Sequence, residues 1–279
     1  MIHVVPPHIV DQPRLREYLL GVFPTLPTNN AIKKAIRQGA ITVTGREAHT
    51  GYLVQPGDEI RYAAVVHQTL DLPDIQIPVV YQDDYLAVLD KPPGLTSSGQ
   101  KKVVLANYLP QILQVSTAPD ALPVPLLAHR LDKATSGLIL SAKTAQASVA
   151  LGYMLAAHTI QKTYHAIVQG HMPKATDVIN SSIDGQTALT TVVAVDHLQT
   201  TDPTSLVRIQ LGTGRTHQIR IHLASIGYPL VGDPLYNTDG LSFRRGLFLQ
   251  ATALTFEHPI TAATLHIEVP LAPKFQKYL

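Results

Sequence analysis

Ala128-His129-Arg130-Leu131-Asp132-Lys133-Ala134-Thr135-Ser136-Gly137-Leu138 is a charged, turn-forming run set between apolar residues. Val124, Leu126 and Leu127 precede it, and Leu138, Ile139 and Leu140 follow as an apolar run that reads as a buried strand. Asp132 therefore sits on a loop entering a strand, two residues after Arg130, and is a candidate reactive carboxylate. Taken alone, such a loop is more often a surface turn with an ion pair between neighbours. What separates the two readings is how the rest of the chain is arranged around Asp132.

The bulk properties narrow the field. A chain of 279 residues, 45% hydrophobic and 15% charged, is that of a globular protein with a sizeable core, in one large domain or a small one plus a large one. The absence of Cys excludes disulfides, thiolate metal sites and cysteine nucleophiles, and fits a reducing compartment. Met1 to Val10 lacks a basic start followed by an apolar core, so no signal peptide is expected. No apolar run reaches the roughly 20 residues of a membrane span, and the cytoplasm is the expected location. The net charge of +2 is too small to argue for a polyanionic partner. It resides in residues 1–63, which hold seven Lys/Arg against five Asp/Glu. Any anion-binding surface in the rest must come from local clustering.

Residues 13–62 read as a small α/β unit. Leu15, Leu19 and Leu20, then Ile32, Ala35 and Ile36, recur at helical spacing, with Asn29 or Asn30 as the predicted N-cap of the second helix. Gly39 closes that helix, and Ala40 to Thr44 and Glu59 to Tyr62 are predicted strands. Lys33, Lys34 and Arg37 spread over one side of the second helix, as a nucleic-acid contact or a solvated face. Residues 64–77 lack a clean period and carry Pro73, which predicts a linker or edge segment.

From Pro78 onward short strands prevail. Val79–Tyr81 and Tyr85–Asp90 suggest a hairpin closed by Lys91-Pro92-Pro93-Gly94, and Val103–Leu113 a helix interrupted by Pro110. Thr144 is the predicted N-cap of a helix over Ala145–Ala157, and Lys162–Gly170 a strand with Tyr164, Ala166 and Val168 on one face. Ala188–Ala194 and Leu206–Leu211 read as paired strands. Thr216 is the predicted cap of a helix whose Ile219, Leu223 and Ile226 form a buried stripe, with Arg220 at its edge and Gly227 at its end. Two closing strands are predicted over Gly246–Phe256 and Thr264–Val269.

Several chemistries fall away. Gly212-x-Gly214 lacks the third glycine of a dinucleotide fingerprint, and Ser136 lacks the nucleophile elbow. No His-Glu-x-x-His spacing exists, and Asp132 has no second motif copy to make a carboxylate pair. What remains is Asp132 on a loop, Tyr164 on a strand and Arg220 near a helix start. They suit a carboxylate that must stay ionised, an aromatic that holds a planar substrate, and a counter-ion. Spacing alone does not show that they converge.

Ordered motifs add to this reading. Lys91-Pro92-Pro93-Gly94-Leu95, His129-Arg130-Leu131-Asp132…Thr135-Ser136-Gly137, Lys162-Thr163-Tyr164-His165-Ala166 and Gly214-Arg215-Thr216-His217-Gln218-Ile219-Arg220 follow one another. Gly232-Asp233…Tyr236 and Leu254…Phe256…His258-Pro259 complete the series. From about Pro78 the chain thereby resembles the RluA-type RNA pseudouridine synthases. The front unit resembles an S4-type RNA-binding module through Arg14-Leu15…Leu19, Ile36-Arg37-Gln38-Gly39, Ile41–Gly45 and Gly57–Ile60. Thr96-Ser97-Ser98-Gly99 and Gln250 depart from the first family's pattern, as do Arg16 and Thr28–Asn30 from the second's.

The resemblances imply an α+β protein: an S4-like module at 1–63, a linker at 64–77, and a catalytic domain at 78–279 with a mixed, mainly antiparallel sheet flanked by helices. They imply isomerisation of uridine to pseudouridine in structured RNA, ribosomal RNA first and transfer RNA second, without metal or organic cofactor, by a monomer. Asp132 would be the catalytic aspartate, Tyr164 the residue that stacks on the base and helps remove its C5 proton, and Arg220 the partner of Asp132. Arg130, His129, Arg215, Lys91, Lys33, Lys34 and Arg37 would contact RNA. The competing expectation is a non-catalytic RNA-binding protein on the same fold.

Overall fold

A computed structural model describes residues 1–9, 11–63, 70–173, 177–237 and 246–279. Its first elements are Ile2–Val4 (β1), Leu15–Tyr18 (α1), Asn29–Arg37 (α2), Ile41–Val43 (β2), Arg46–Glu47 (β3) and Glu59–Tyr62 (β4). The four strands make one antiparallel sheet in the order β1-β4-β2-β3. The apolar positions of the helical pattern, Leu15, Leu19, Ile32 and Ile36, pack with Ile41, Val54 and Ile60 in a separate buried cluster. Thr28, not Asn29 or Asn30, caps α2: its backbone is extended and its Oγ1 accepts from Ala31 N–H at 3.2 Å. At the other end Gly39 takes φ +68°, and Ala40 N–H donates back to Ala35 C=O at 3.0 Å, which satisfies the last carbonyls. Pairing of β1 with β4 was not predicted, because Ile2–Val4 is too short to show a period.

The larger part contains Val79–Gln82 (β5), Leu86–Lys91 (β6), Leu105–Ile112 (α3), Ala121–Leu127 (β7), Ser136–Thr144 (β8), Ala145–Ala156 (α4) and Gln161–Gln169 (β9). Asp177–Asn180 (β10), Leu189–Leu198 (β11), Thr204–Leu211 (β12), Gln218–Ser225 (α5), Leu249–Glu257 (β13), Thr264–Glu268 (β14) and Pro273–Gln276 (α6) follow. These strands form a second sheet in the order β10-β11-β12-β9-β13-β8-β6-β5, with β14 on β13 and β7 on β8. Among the described strands only the β8–β13 contact is parallel, so the fold is α+β with a mixed, mainly antiparallel sheet. No helix among the described residues is long and apolar enough to cross a membrane.

Residues 64–69 of the predicted linker lie outside the described residues. The remainder is not a free tether: Ile77 is buried, Leu72 and Ile75 pack on the main core, and Tyr108 Oη donates to Pro73 C=O at 3.0 Å. Pro110 lies inside α3 without ending it. Thr144 caps α4 as predicted, accepting from Ala147 N–H at 3.2 Å.

One register places the functional elements. Gly137 of β8 stands opposite Ala251 of β13, and Ala251 stands opposite Tyr164 of β9. The Asp132 loop runs directly into β8, so this alignment delivers the carboxylate beside the tyrosine strand. Helix α5 buries Ile219 and Leu223 in the same core as Val192 and Ile209. Ile226 is 38% exposed, so the predicted stripe stops one turn early.

Candidate active site

The Asp132 loop is fastened at every turn. Ala128 N–H donates to Leu140 C=O at 2.9 Å, and Leu140 N–H donates to His129 Nε2 at 3.1 Å, so an imidazole replaces a ladder carbonyl. Ser97 Oγ accepts from Leu131 N–H at 3.0 Å and donates to Leu131 C=O at 2.8 Å. Thr135 N–H closes a turn onto Asp132 C=O at 3.1 Å, and Gly94 N–H reaches Lys133 C=O at 2.7 Å. The Asp132 side chain is left 19% exposed at the mouth of a pocket.

That pocket brings the three predicted chemical residues together. It is lined by Asp132, Tyr164 and Arg220, with Arg130, Arg215 and His217 around them and Leu131, Leu211, Ile219 and Leu249 as apolar walls. Arg220 Nη1 lies 3.9 Å from Asp132 Oδ2, yet this is not its main partner. Its Nε and Nη2 each donate at 2.7 Å to the two oxygens of Asp233, which is completely buried. Asp233 also accepts from Leu235 N–H at 2.9 Å and Tyr236 N–H at 3.3 Å. Burial alone would raise the Asp233 carboxyl and lower the guanidinium, but the bidentate bonds and opposite charges win, so Asp233 is lowered and Arg220 raised. Arg220 is thereby a fixed cation held on one side, with Nη1 facing Asp132. Tyr236 lies 5.1 Å below the guanidinium and completes the clamp.

Tyr164 is 6% exposed, and burial, helped by the Asp132 charge, pushes its phenol above the ordinary value. It enters the pocket as a neutral aromatic. Gln218 uses its whole capacity: Oε1 accepts from Thr213 Oγ1 and Arg215 N–H, while Nε2 donates to Leu189 C=O and Thr190 Oγ1. It thus fixes the turn that carries Arg215. Helix α5 starts at Gln218, and His217 in the left-handed region (φ 56°), not Thr216, holds the capping position.

The predicted RNA contacts divide. Arg130 and Arg215 are exposed on the pocket rim. Lys91 must be corrected: it is fully buried, and its ammonium donates to Pro92 C=O and Leu95 C=O, each at 2.9 Å, and to Lys133 C=O at 3.4 Å. Burial lowers it to about 8, and a phosphate has no access to it. It cages the carbonyls of the two loops around Asp132. His129 is half-buried, and its Nε2 accepts from Leu140 N–H within the loop. Lys33, Lys34 and Arg37 lie on α2 and do not line the pocket. Lys33 and Arg37 are one turn apart on one face, whereas Lys34 overhangs a groove shared with Leu122 and Leu126.

His129 carries a pH signature. Burial lowers its imidazole to about 4, below the roughly 6.5 of an unfolded chain. Between those values the unfolded state binds more protons, so stability rises with pH across the window and is lost as pH falls through it. Denaturant unfolding of His129→Gln is expected to lack that part of the acid slope; an unchanged slope would place the proton elsewhere.

The residues that sequence reasoning missed are Asp233, His217, Ser97 and Gln218. Asp233 and His217 stood within recognised motifs but without a role. Ser97 stood only as a departure from a pattern. The site as built holds a carboxylate, an oriented cation and a neutral aromatic around a partly apolar pocket, which suits nucleophilic or base chemistry on a planar substrate.

Residues 85–225 match the family model described as RNA pseudouridylate synthase. The chain is 30% identical over 259 residues to an uncharacterized RNA pseudouridine synthase, YlyB, of Bacillus subtilis, covering 86% of this chain and 84% of that protein. It is 32% identical over 274 residues to ribosomal large subunit pseudouridine synthase D of Pseudomonas aeruginosa, covering 86% and 83%. Among solved structures, human RNA pseudouridylate synthase domain containing 1 superposes with a TM-score of 0.57 at 25% identity, covering 70% of this chain and 83% of that one.

Proposed function

Because this chain belongs to the RNA pseudouridylate synthase family, we propose that the Asp132 pocket is where it isomerises uridine to pseudouridine. The observation that carries this reading is the convergence of Asp132, Tyr164 and Arg220 on one pocket from a loop, a strand and a helix. In this reading Asp132 is the nucleophile or base whose action breaks the N1–C1′ bond. Arg220, held by Asp233, is the cation that faces the carboxylate. Tyr164 stacks on the uracil, and the apolar walls exclude water while the ring turns to present C5. A uridine inside a duplex must be flipped out to reach the carboxylate, and Arg130 on the rim supports the vacated stack. Arg215 neutralises a neighbouring phosphate.

The substrate is large-subunit ribosomal RNA, in keeping with the names of relatives such as the Pseudomonas protein, and the cytoplasm is its place of work. The test is direct: the purified protein, incubated with large-subunit ribosomal RNA transcripts, creates pseudouridine at one or a few defined uridines. If only transfer RNA is modified, the substrate assignment fails.

The four-stranded front unit acts as an S4-type RNA-binding module, with Lys33 and Arg37 as its contact face. A Lys33→Ala/Arg37→Ala double variant is expected to weaken RNA binding and to flatten the plot of log affinity against log salt by about 1–2 in slope, since each lost phosphate contact removes somewhat under one released counter-ion. Unchanged affinity and slope would mean that this face does not meet RNA.

A further inference from the structure

Lys162 is a cation beside the Asp132 pocket to which the reading above gives no task. Among the described residues, burial lowers three lysine ammoniums, those of Lys91, Lys162 and Lys274. Lys91 and Lys274 give theirs to backbone carbonyls. Lys162 is half-buried, yet among the described residues it makes no hydrogen bond or ion pair, and no acidic neighbour offsets its burial. Taking an ammonium out of water without a partner costs stability. Such a breach of the ordinary rules is expected where a site receives its partner from outside the chain.

The surroundings of the ammonium say which partner. Lys162 lies on β9 two residues before Tyr164, so the two side chains leave the sheet on the same face. A Cβ built on Gly214, a residue of the pocket wall, would lie 3.8 Å from Lys162 Nζ. The His129 imidazole, on the Asp132 loop, is close enough to feel the same charge. With its Nε2 accepting from Leu140 N–H, that ring supplies no counter-ion. The ammonium is therefore near both segments that carry the exposed rim cations, Arg130 next to His129 and Arg215 next to Gly214. Lys162 is not part of the pocket lining itself, so a base held against Tyr164 is not its ligand. What passes this point is the backbone on either side of an extruded nucleotide, and its charged group is the phosphodiester.

We propose that Lys162 binds one of the two phosphodiesters flanking the target uridine and so seats the extruded nucleotide over Asp132. The inference rests on the functional reading above. The ammonium is already stripped of part of its water, and a phosphate oxygen gives it a charge-assisted hydrogen bond that the protein withholds. Lys162 is thus a substrate-binding residue that favours a polynucleotide over free uridine, which lacks both phosphates.

The test uses the full chain and a short ribosomal RNA fragment holding a uridine that the wild type converts. Lys162→Met fills similar space without the charge, so its melting temperature should equal or exceed that of the wild type. Its RNA affinity should fall about 10-fold, the usual loss for one hydrogen bond to a charged group. The rate at saturating RNA should stay within about threefold, because the lost contact is made in ground and transition states alike. In parallel, each flanking phosphate is replaced in turn by an uncharged methylphosphonate. One of the two should weaken binding to the wild type about 10-fold and to Lys162→Met less than about twofold, the non-additivity of groups in contact. If neither replacement weakens the wild type, or if both weaken the variant equally, the proposal is overturned. A variant less stable than the wild type that still binds RNA normally would make Lys162 a structural residue and overturn it too. Wild-type protein that forms no pseudouridine on any RNA would instead defeat the functional reading, and the inference with it.

Discussion

Asp233→Ala is expected to abolish activity and to cost about 3–5 kcal/mol of folding stability, the usual result of removing one partner from a buried ion pair. Asp233 is completely buried and accepts four bonds, two of them from Arg220 at 2.7 Å. Its removal leaves the Arg220 guanidinium, itself 4% exposed, with Asp132 as the nearest carboxylate. The arginine would then close the 3.9 Å gap and engage Asp132 directly, replacing an oriented neighbour with a competing ligand. Asp233→Asn keeps the shape and should lose less stability than Asp233→Ala, while still losing much of the rate. Denaturant unfolding and single-turnover assays separate the two effects. Wild-type activity in Asp233→Ala would mean that Arg220 needs no second carboxylate.

Gly137→Ala is expected to be as damaging to the fold itself. Gly137 has φ +110°, and an added Cβ would lie 2.1 Å from Ala251 C=O, a backbone atom in the middle of the sheet. The strand cannot withdraw without parting β8 from β13, the parallel contact on which the Asp132–Tyr164 alignment depends. Overpacking and left-region strain together come to about 3–5 kcal/mol, enough to unfold a marginal domain or to slip its register. Expression and thermal unfolding check this. A stable, active Gly137→Ala protein would show that the close approach of β8 and β13 is not required.

How much of this was legible in the sequence depended on range. Local signals read true: Gly39 ended α2, Thr144 capped α4, and the alternation around Tyr164 placed it on a buried strand face. The ordered motifs located the pocket residues and the family. What failed needed the third dimension. Lys91 looked like a free cation, yet three carbonyls from two loops cage it, and nothing in its neighbourhood announces that cage. Arg220 does reach Asp132 at 3.9 Å, but its stronger, bidentate partner 13 residues on, fully buried and doubly bonded, went unforeseen. His217 looked like an ordinary helix residue, since a left-handed backbone at a non-glycine leaves no compositional trace. Ser97 stood out only as a departure, although its hydroxyl ties both backbone polar groups of Leu131.

The loop from which the sequence was read remains the centre of the account, and one substitution tests it. Pseudouridine is to be mapped in large-subunit ribosomal RNA from cells with the wild-type protein, without it, and with Asp132→Asn. The account predicts a site present only with the wild type, with the variant folded and still bound to RNA. A site that depends on the protein but survives Asp132→Asn would contradict it.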